Sequence, residues 1–218
     1  GRIIQRRYPY FNQLKGLGKG DVILQGKGDD VNGDIRLHMG EAFAFDVPIE
    51  KLDTRFDFQN QDILIRQLEI KGKTLKASAE GTLTREGFRQ VKIHVEKLPL
   101  DFFELPTFVT SYVDTLDANT MLEGDFENPQ INFEGDLFFQ QDLALEPFQN
   151  RAKAYANGKI ENLNWKFTTI DPGMNFQGLY RGGDDPSVSF KGAWQSFPIF
   201  SFLQNAQSSI TGAVQGSG

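Results

Sequence analysis

The candidates for acid–base or metal chemistry are two histidines and two pairs of adjacent aspartates, which lie far apart in the sequence. His38 and His94 occupy polar positions of two different alternating segments, so a surface histidine is the favoured interpretation of each. Asp29-Asp30 and Asp184-Asp185 lie in turns flanked by glycine. Paired carboxylates can bind calcium or act as acid and base, but no further ligand follows at the spacing of a calcium-binding loop. Both pairs are therefore interpreted as solvated turns.

Sequence motifs for nucleophiles and cofactors are also missing. Ser187 and Ser208-Ser209 have no histidine near them in the sequence. The glycine-punctuated residues 16–20 lead into Val22-Ile23-Leu24, which reads as a strand, whereas a phosphate-binding loop needs a following helix. The chain has no cysteine, which excludes disulfides and thiolate chemistry. The sequence therefore predicts that the chain is not an enzyme and holds no cofactor and no metal.

Composition restricts the class of partner. The 218 residues carry a net charge of −6, so there is no basic excess to neutralise the phosphates of a nucleic acid. Twenty phenylalanines stand beside five tyrosines and two tryptophans, and Phe has no polar tip, so many of these rings should face a core or an apolar ligand. No apolar run is long enough to span a bilayer as a helix. We expect neither nucleic acid nor a transmembrane segment.

Alternation of apolar and polar residues predicts a mostly β fold. Val91, Ile93 and Val95, for example, alternate with Lys92 and His94. Turn signals separate the alternating segments, and three of them are Asn32-Gly33, Asn60-Gln61 and Arg85-Glu86-Gly87. Short strands joined by hairpin-length gaps are typical of an antiparallel meander, here of about fourteen strands.

Two segments depart from the alternation. Apolar residues recur every three or four positions over residues 101–118, which predicts an amphipathic helix. Residues 199–209 are predicted to form a short helix. These two helices are too few to cover a sheet of that many strands.

Landmarks recur along the chain and predict two repeats of about 98 residues. Pro99 and Pro198 lie 99 positions apart, as do Pro48 and Pro147. The predicted organisation is a linker and the end of a preceding repeat at 1–19, and β repeats with a C-terminal helix at 20–118 and 119–209. The first strand of a following repeat is then expected at 210–218, so the chain is expected to be part of a longer protein.

An open sheet with one apolar face must cover that face. From the pattern alone, it either closes into a dry sandwich core or curves into a trough that is left for a ligand. Small residues on the apolar side, such as Ala77, Ala79 and Gly81, permit strong curvature. The side chains expected to line this core or groove are Ile63, Ile65, Leu83, Val91, Ile93, Val95, Phe133, Leu137, Phe139, Trp165, Phe167, Phe176, Phe190 and Trp194.

Two stretches resemble a known family. Residues 125–135, which read DFENPQINFEG, resemble the Asn-Pro turns that recur in the TamB and AsmA-like family. Residues 75–83, followed by 93–100, look like the strand pair and exit step of the same family. The resemblance covers nearly the whole chain. Residues 171–173 and 182–186 depart from the pattern.

The resemblance implies an elongated, curved antiparallel sheet, the β-taco, with an open apolar groove. It implies a periplasmic protein, anchored in the inner membrane, that carries the acyl chains of phospholipids toward the outer membrane. A partner implied with it is an outer-membrane β-barrel. An alternative is a structural or chaperone module that assists outer-membrane protein assembly by strand pairing, and a third is a β-rich carbohydrate-binding or enzyme domain.

Overall fold

The computed structural model describes residues 14–27, 30–44, 47–99, 113–139, 151–169, 173–182, 187–197 and 210–217. Every regular element within these ranges is a β-strand, and the strand pairs described below are antiparallel, so the predicted mostly β class is confirmed. The chain divides after Leu98 into two compact units. The repeat limits predicted from sequence, at residue 20 and between 118 and 119, fall inside strands.

Unit 1 is a meander of six strands that pair in sequence order. Its strands are β1 (Leu14–Lys27), β2 (Asp30–Ala44), β3 (Val47–Gln59), β4 (Asp62–Gly72), β5 (Lys76–Leu83) and β6 (Gly87–Pro99). Their side chains alternate between two faces, as the period of two predicts.

Unit 2 is a second meander, and its strands again pair in sequence order. Its strands are β7 (Val113–Asp125), β8 (Gln130–Phe139), β9 (Arg151–Lys159), β10 (Asn162–Thr169), β11 (Met174–Arg181), β12 (Ser187–Phe197) and β13 (Ile210–Ser217). The described residues thus hold thirteen strands, close to the number expected from the sequence.

The helix predicted for residues 101–118 is wrong over its last six residues, because β7 begins at Val113. Val113 pairs with Phe139 and Leu116 pairs with Leu137, with a bulge between Val113 and Thr115. A bulge adds one residue between two positions of the same face, so both residues are buried although they are three positions apart. A spacing of three positions between apolar residues is also typical of a helix, which is why the sequence pattern predicted one here. The rest of this predicted helix, and the one predicted at 199–209, lie outside the described residues.

The turn predicted at Asn32-Gly33 is also wrong. Both residues lie inside β2, where Asn32 pairs with Gln25 and Gly33 pairs with Leu24. The turn predicted at Asn60-Gln61 is confirmed, since Gln59 pairs with Asp62 around it. Both loop residues have positive φ, 51° and 71°, as a two-residue type I′ turn requires.

A small buried cluster lies on one face of unit 1. It comprises Met39, Ala42, Ile49 and Leu52, each 6% exposed or less, with Leu37, Leu68 and Ile70 packed against it. These residues come from the neighbouring strands β2, β3 and β4, so the burial follows from antiparallel pairing. The same face continues beyond the cluster as a larger apolar surface.

Candidate functional site

Strand register decides which side chains share a face, because residues directly opposite each other in an antiparallel pair point to the same side. In unit 1, one row runs from Leu83 through Ile63 to Phe58. We call the side that carries this row the apolar face of unit 1. Its members include Val22, Ile35, Leu37, Met39, Leu52, Phe56, Phe58, Ile63, Ile65, Leu68, Ile70, Ala77, Ala79, Leu83, Val91, Ile93 and Val95.

All six groove residues predicted in unit 1 lie on this face. Ile65 is opposite Gly81, Ile93 is opposite Ala79, and Val95 is opposite Ala77. The two small alanines of β5 therefore lie between larger side chains of β4 and β6. The register assembles these six residues on one surface, although they are up to 32 positions apart in sequence, from Ile63 to Val95.

Unit 2 has an equivalent apolar face. One row joins Phe133, Ala156, Trp165, Gly178 and Phe190 across five strands. The next row joins Gly135 to Phe167, Phe176 and Gly192 through Ala154, and a third joins Leu116 and Leu137 to Ala152. The eight predicted groove residues of this unit are all at register positions of this face: Phe133, Leu137, Phe139, Trp165, Phe167, Phe176, Phe190 and Trp194.

The exposure of the predicted groove residues distinguishes a packed core from an open surface. Ile65 and Val91 are buried, at 8% and 4% exposed. The other eleven whose side chains are described are half-buried. Closed cores of this size bury most of their large apolar side chains. The apolar faces therefore keep accessible apolar surface along most of the predicted groove positions.

Cross-strand glycines make room for the aromatic rings of unit 2. A Cβ atom added to Gly178 would lie 2.6 Å from Cζ2 of Trp165, which is directly opposite on β10. Gly192 stands in the same relation to the ring of Phe176 on β11. Each ring therefore lies across a glycine of the next strand, a known way to cover strand glycines. The sequence suggested curvature as the role of small residues on this face, whereas the structure shows Gly178 and Gly192 accommodating the rings.

The opposite side of unit 1, which we call its polar face, carries cross-strand ion pairs. Asp53 receives a hydrogen bond from Lys51 and contacts His38 Nδ1 at 2.6 Å, and these contacts lower the pKa of its carboxyl. Lys76 Nζ donates to Glu96 at 2.7 Å, which lowers the pKa of Glu96 and raises that of Lys76. Lys51 and Lys76 on this face are thus matched by carboxylates, whereas Lys19 and Lys71 have no such partner among the described residues.

Both histidines lie on the polar face of unit 1, as predicted. His38 is beside Asp53, and His94 Nε2 is 3.4 Å from Glu96 Oε1. Within the described ranges, no three His, Asp or Glu side chains are grouped as metal ligands would be. Both rings therefore contact a carboxylate on the surface of the sheet.

The polar face of unit 2 carries an ion pair between Arg151 and Asp136. Arg151 donates two hydrogen bonds to Asp136, at 2.9 Å and 2.7 Å, and its guanidinium lies 5.7 Å from the centroid of the Phe138 ring. The hydrogen bonds lower the pKa of Asp136 and raise that of Arg151. Such two-pronged pairing fixes the position of both side chains.

Sequence reasoning missed a concavity of about 910 Å³ in unit 2. Eight of its lining residues belong to the polar face by register: Tyr155, Asn157, Asn164, Lys166, Gln177, Leu179, Ser189 and Lys191. The remaining three, Trp165, Gly178 and Phe190, lie between them along the strands. A signal was present in the sequence, because β9 to β12 contain six basic residues and no acidic one.

Within the part of the chain that the structure describes, no helix has the length and apolarity needed to cross a membrane. Comparison with known proteins found no matching family model, no matching curated protein and no matching solved structure. The resemblance to the TamB and AsmA-like family therefore stays a prediction from the sequence.

Proposed function

We propose that this chain is a segment of a periplasmic protein that transfers phospholipids between membranes. Acyl chains would lie along the apolar face of each unit, and charged head groups would remain in water at its margin. The parent protein would be anchored in the inner membrane and would work with an outer-membrane β-barrel. The chain's own contribution is binding, with no catalytic step.

One observation carries the proposal: eleven predicted groove residues are half-buried although they all lie on the apolar faces. Each buried CH₂ of an acyl chain contributes about 0.8 kcal/mol. A surface of aliphatic side chains and flat rings supplies that energy in small, similar steps, so a bound chain can slide without a deep trap. The absence of directional polar contacts on such a surface also suits chains of differing length.

Strand positions support a two-repeat organisation as part of this proposal. β4 begins at Asp62 and β10 at Asn162, and β6 begins at Gly87 and β12 at Ser187, 100 positions apart in both cases. Stacked repeats of one supersecondary unit contact only their neighbours, so they produce extended surfaces and the sheet need not close on itself. A repeated apolar face is what a lipid path of adjustable length would need.

Lipid capture by the purified chain tests the proposal. We expect organic extraction followed by mass spectrometry to recover phospholipid, and we expect the delipidated protein to bind NBD-labelled phosphatidylethanolamine. Ile93→Asp should reduce this binding severalfold, because it places a charge among half-buried apolar side chains. A protein that carries no lipid and binds none of the probe would rule the proposal out.

Ser78→Asp is the matched control. Ser78 lies on β5 opposite His94, on the polar face, whereas Ile93 lies opposite Ala79 on the apolar face. Both variants add one carboxylate to the same pair of strands. The control should bind the probe normally, and both variants should keep the circular dichroism of a β protein. Global unfolding of Ile93→Asp alone would favour a closed core instead.

The strand-pairing alternative has a specific observation of its own. β1 pairs only with β2 among the described residues, and its side chains are unusually exposed: Leu17 92%, Val22 61%, Ile23 58% and Leu24 53%. An unpaired edge with apolar side chains can accept a further strand. A photoreactive amino acid at position 23 should then crosslink to an unfolded outer-membrane protein. Crosslinking to labelled lipid, with no crosslink to polypeptide, would count against this alternative.

A further inference from the structure

Unpaired basic side chains are concentrated on the polar face of unit 2. Among the six basic residues of β9 to β12, Arg151 pairs with Asp136, and Lys153 Nζ lies 3.7 Å from Glu134. Lys159, Lys166, Arg181 and Lys191 have no hydrogen-bond or ion-pair partner among the described residues. In a chain of net charge −6, four unmatched cations on one face of four adjacent strands mark a local site for an anion.

Strand register brings two of these cations to either side of one amide. Lys166 on β10 is directly opposite Gln177 on β11, and Gln177 is directly opposite Lys191 on β12. With neighbouring strands about 4.8 Å apart, the two lysine backbones are separated by about 10 Å. Their long side chains can therefore converge on one group held above Gln177. All three residues line the concavity of about 910 Å³.

Neutral hydrogen-bonding groups complete the lining. Asn164 and Ser189 belong to the next row of the same face, separated by Leu179, and Tyr155 lies opposite Lys166. Asn164, Ser189 and Gln177 are exposed and have no partner among the described residues. Amides and hydroxyls can both donate and accept, as sugar hydroxyls require. The half-buried ring of Tyr155 offers a flat apolar surface with a polar tip.

We propose that this concavity binds a phosphorylated saccharide. The phosphate lies between Lys166 and Lys191, and the sugar hydroxyls bond with Asn164, Gln177 and Ser189. Lysine suits a phosphate as a mobile point charge with three donors. Glu134 lies directly opposite Tyr155 on the neighbouring strand, and its carboxylate contacts Lys153. Lys166 and Lys191 therefore remain available to the ligand.

Two lysines on the polar face of unit 1 differ from Lys166 and Lys191 because they are already paired. There, Lys76 and Lys92 on the polar face are each held by a glutamate, Glu96 at 2.7 Å and Glu80 at 3.0 Å. A cation already paired gains little from an incoming phosphate, because the existing pair must first be broken. Lys92 therefore supplies a control position with the same side chain and a different electrostatic environment.

The polar side chains proposed to bind the saccharide lie on the face opposite the proposed lipid surface. Register puts Lys166 and Gln177 on one side of unit 2 and Phe167 and Phe176 on the other. An acyl chain on the apolar face leaves these polar side chains accessible, although Trp165, Gly178 and Phe190 of that face also line the concavity. Failure of lipid capture and failure of saccharide binding would therefore be separate results.

A titration of the full chain with glucose 6-phosphate, followed by ¹H–¹⁵N NMR, tests the proposal. Saturable shifts should centre on residues 155, 164–166, 177 and 189–191. Glucose and inorganic phosphate should each bind at least about tenfold more weakly, since each offers only part of the contacts. Lys166→Gln and Lys191→Gln should each weaken binding by about tenfold, and Lys92→Gln should leave it unchanged.

The source of the sugar phosphate is distinguished by a flotation assay with phosphatidylcholine vesicles, prepared with and without phosphatidylinositol 4-phosphate. Flotation with the phosphorylated vesicles, lost in Lys166→Gln and Lys191→Gln, assigns the ligand to a lipid head group. Soluble binding without flotation assigns it to a free sugar phosphate. No binding in either arm overturns the site, as does inorganic phosphate that binds as tightly as glucose 6-phosphate. Circular dichroism of both variants excludes misfolding as the cause of a loss.

Discussion

Asn128 and Glu161, 33 positions apart, hold two neighbouring hairpin turns of unit 2 together. The Asn128 side-chain amide donates to Glu161 Oε2 at 2.7 Å, and its Oδ1 accepts from the Glu161 backbone N–H at 3.3 Å. Beside them, the Ile160 backbone N–H donates to the Pro129 carbonyl at 3.2 Å. The Asn-Pro turn, which carried the family resemblance, thus has a structural role that needs both the amide donor and the amide acceptor.

Asn128→Ala should lower the free energy of unfolding by about 1 kcal/mol, since it removes two hydrogen bonds at an exposed turn, one of them to a charged group. Urea denaturation followed by tryptophan fluorescence measures this change. Asn128→Asp keeps the acceptor but faces the Glu161 carboxylate with a second negative charge, so it should destabilise at least as much. An Asn128→Asp protein as stable as the wild type would show that the amide donor contributes nothing.

Gln61→Gly should stabilise the chain by about 0.5–1 kcal/mol. Gln61 has φ of 71° at the second loop position of the type I′ turn, and glycine takes this conformation without strain. Gln59, the last residue of β3, is the control, because it is in strand conformation, where glycine brings no relief and costs about 0.5–1 kcal/mol. Urea midpoints of the two variants should therefore move in opposite directions. Destabilisation by Gln61→Gly would contradict the assigned turn.

Gly178→Ala should destabilise the chain by about 1–3 kcal/mol, because the new methyl group would overlap the backbone carbonyl oxygen of Ser189 as well as Cζ2 and Cε2 of Trp165. The overlap with Trp165 should displace its ring. A shift in the tryptophan emission maximum reports the displacement, and thermal denaturation reports the stability. Gly40→Ala is the matched control, since nothing lies within 4 Å of a Cβ atom at that position. Normal emission from the Gly178→Ala protein would show that the ring does not depend on the glycine.

Asp136→Asn should cost about 1 kcal/mol near neutral pH, because it weakens the two-pronged pair with Arg151 at a partly exposed site. The pKa of Asp136 is lowered by that pair, so the stabilisation is complete above the ordinary value of 3.8 and is lost as pH falls through the lower folded-state value. Urea midpoints of wild type and variant should therefore converge in acid.

Asp125→Asn is the control for the acid experiment. Asp125 is exposed and has no ion-pair partner among the described residues, so its substitution should leave the urea midpoint unchanged at neutral pH. A difference between wild type and Asp136→Asn that persisted undiminished in strong acid would show that the lost stability does not come from the charge of Asp136.

The sequence correctly predicted which residues of a strand share its apolar side. Ile93 and Val95 were predicted to share a side because they are two residues apart, and the register puts them opposite Ala79 and Ala77 on that side. The same holds for Trp165 and Phe167. Period-two alternation is a local property that each strand shows by itself, which is why the strands and their apolar sides were predicted well.

The positions of the β-bulges could not be predicted from the sequence. Ile65 and Leu68 lie on one face three residues apart because a bulge falls between them, as happens again between Val113 and Leu116. Whether a three-residue spacing belongs to a helix or to a bulged strand depends on the partner strand, since an extra residue is extra only relative to the residue opposite it. The amphipathic helix predicted at 101–118 failed at 113–118 for this reason.

The sequence by itself determined the β class, most strand positions and which side of each strand is apolar, because alternation and turn chemistry act over a few residues. Only the tertiary structure decided which residues meet across strands. The approach of Asn128 to Glu161 and the row of Lys166, Gln177 and Lys191 both follow from register. Register is fixed jointly by turn lengths, bulges and the packing of neighbouring strands, and no single segment encodes it.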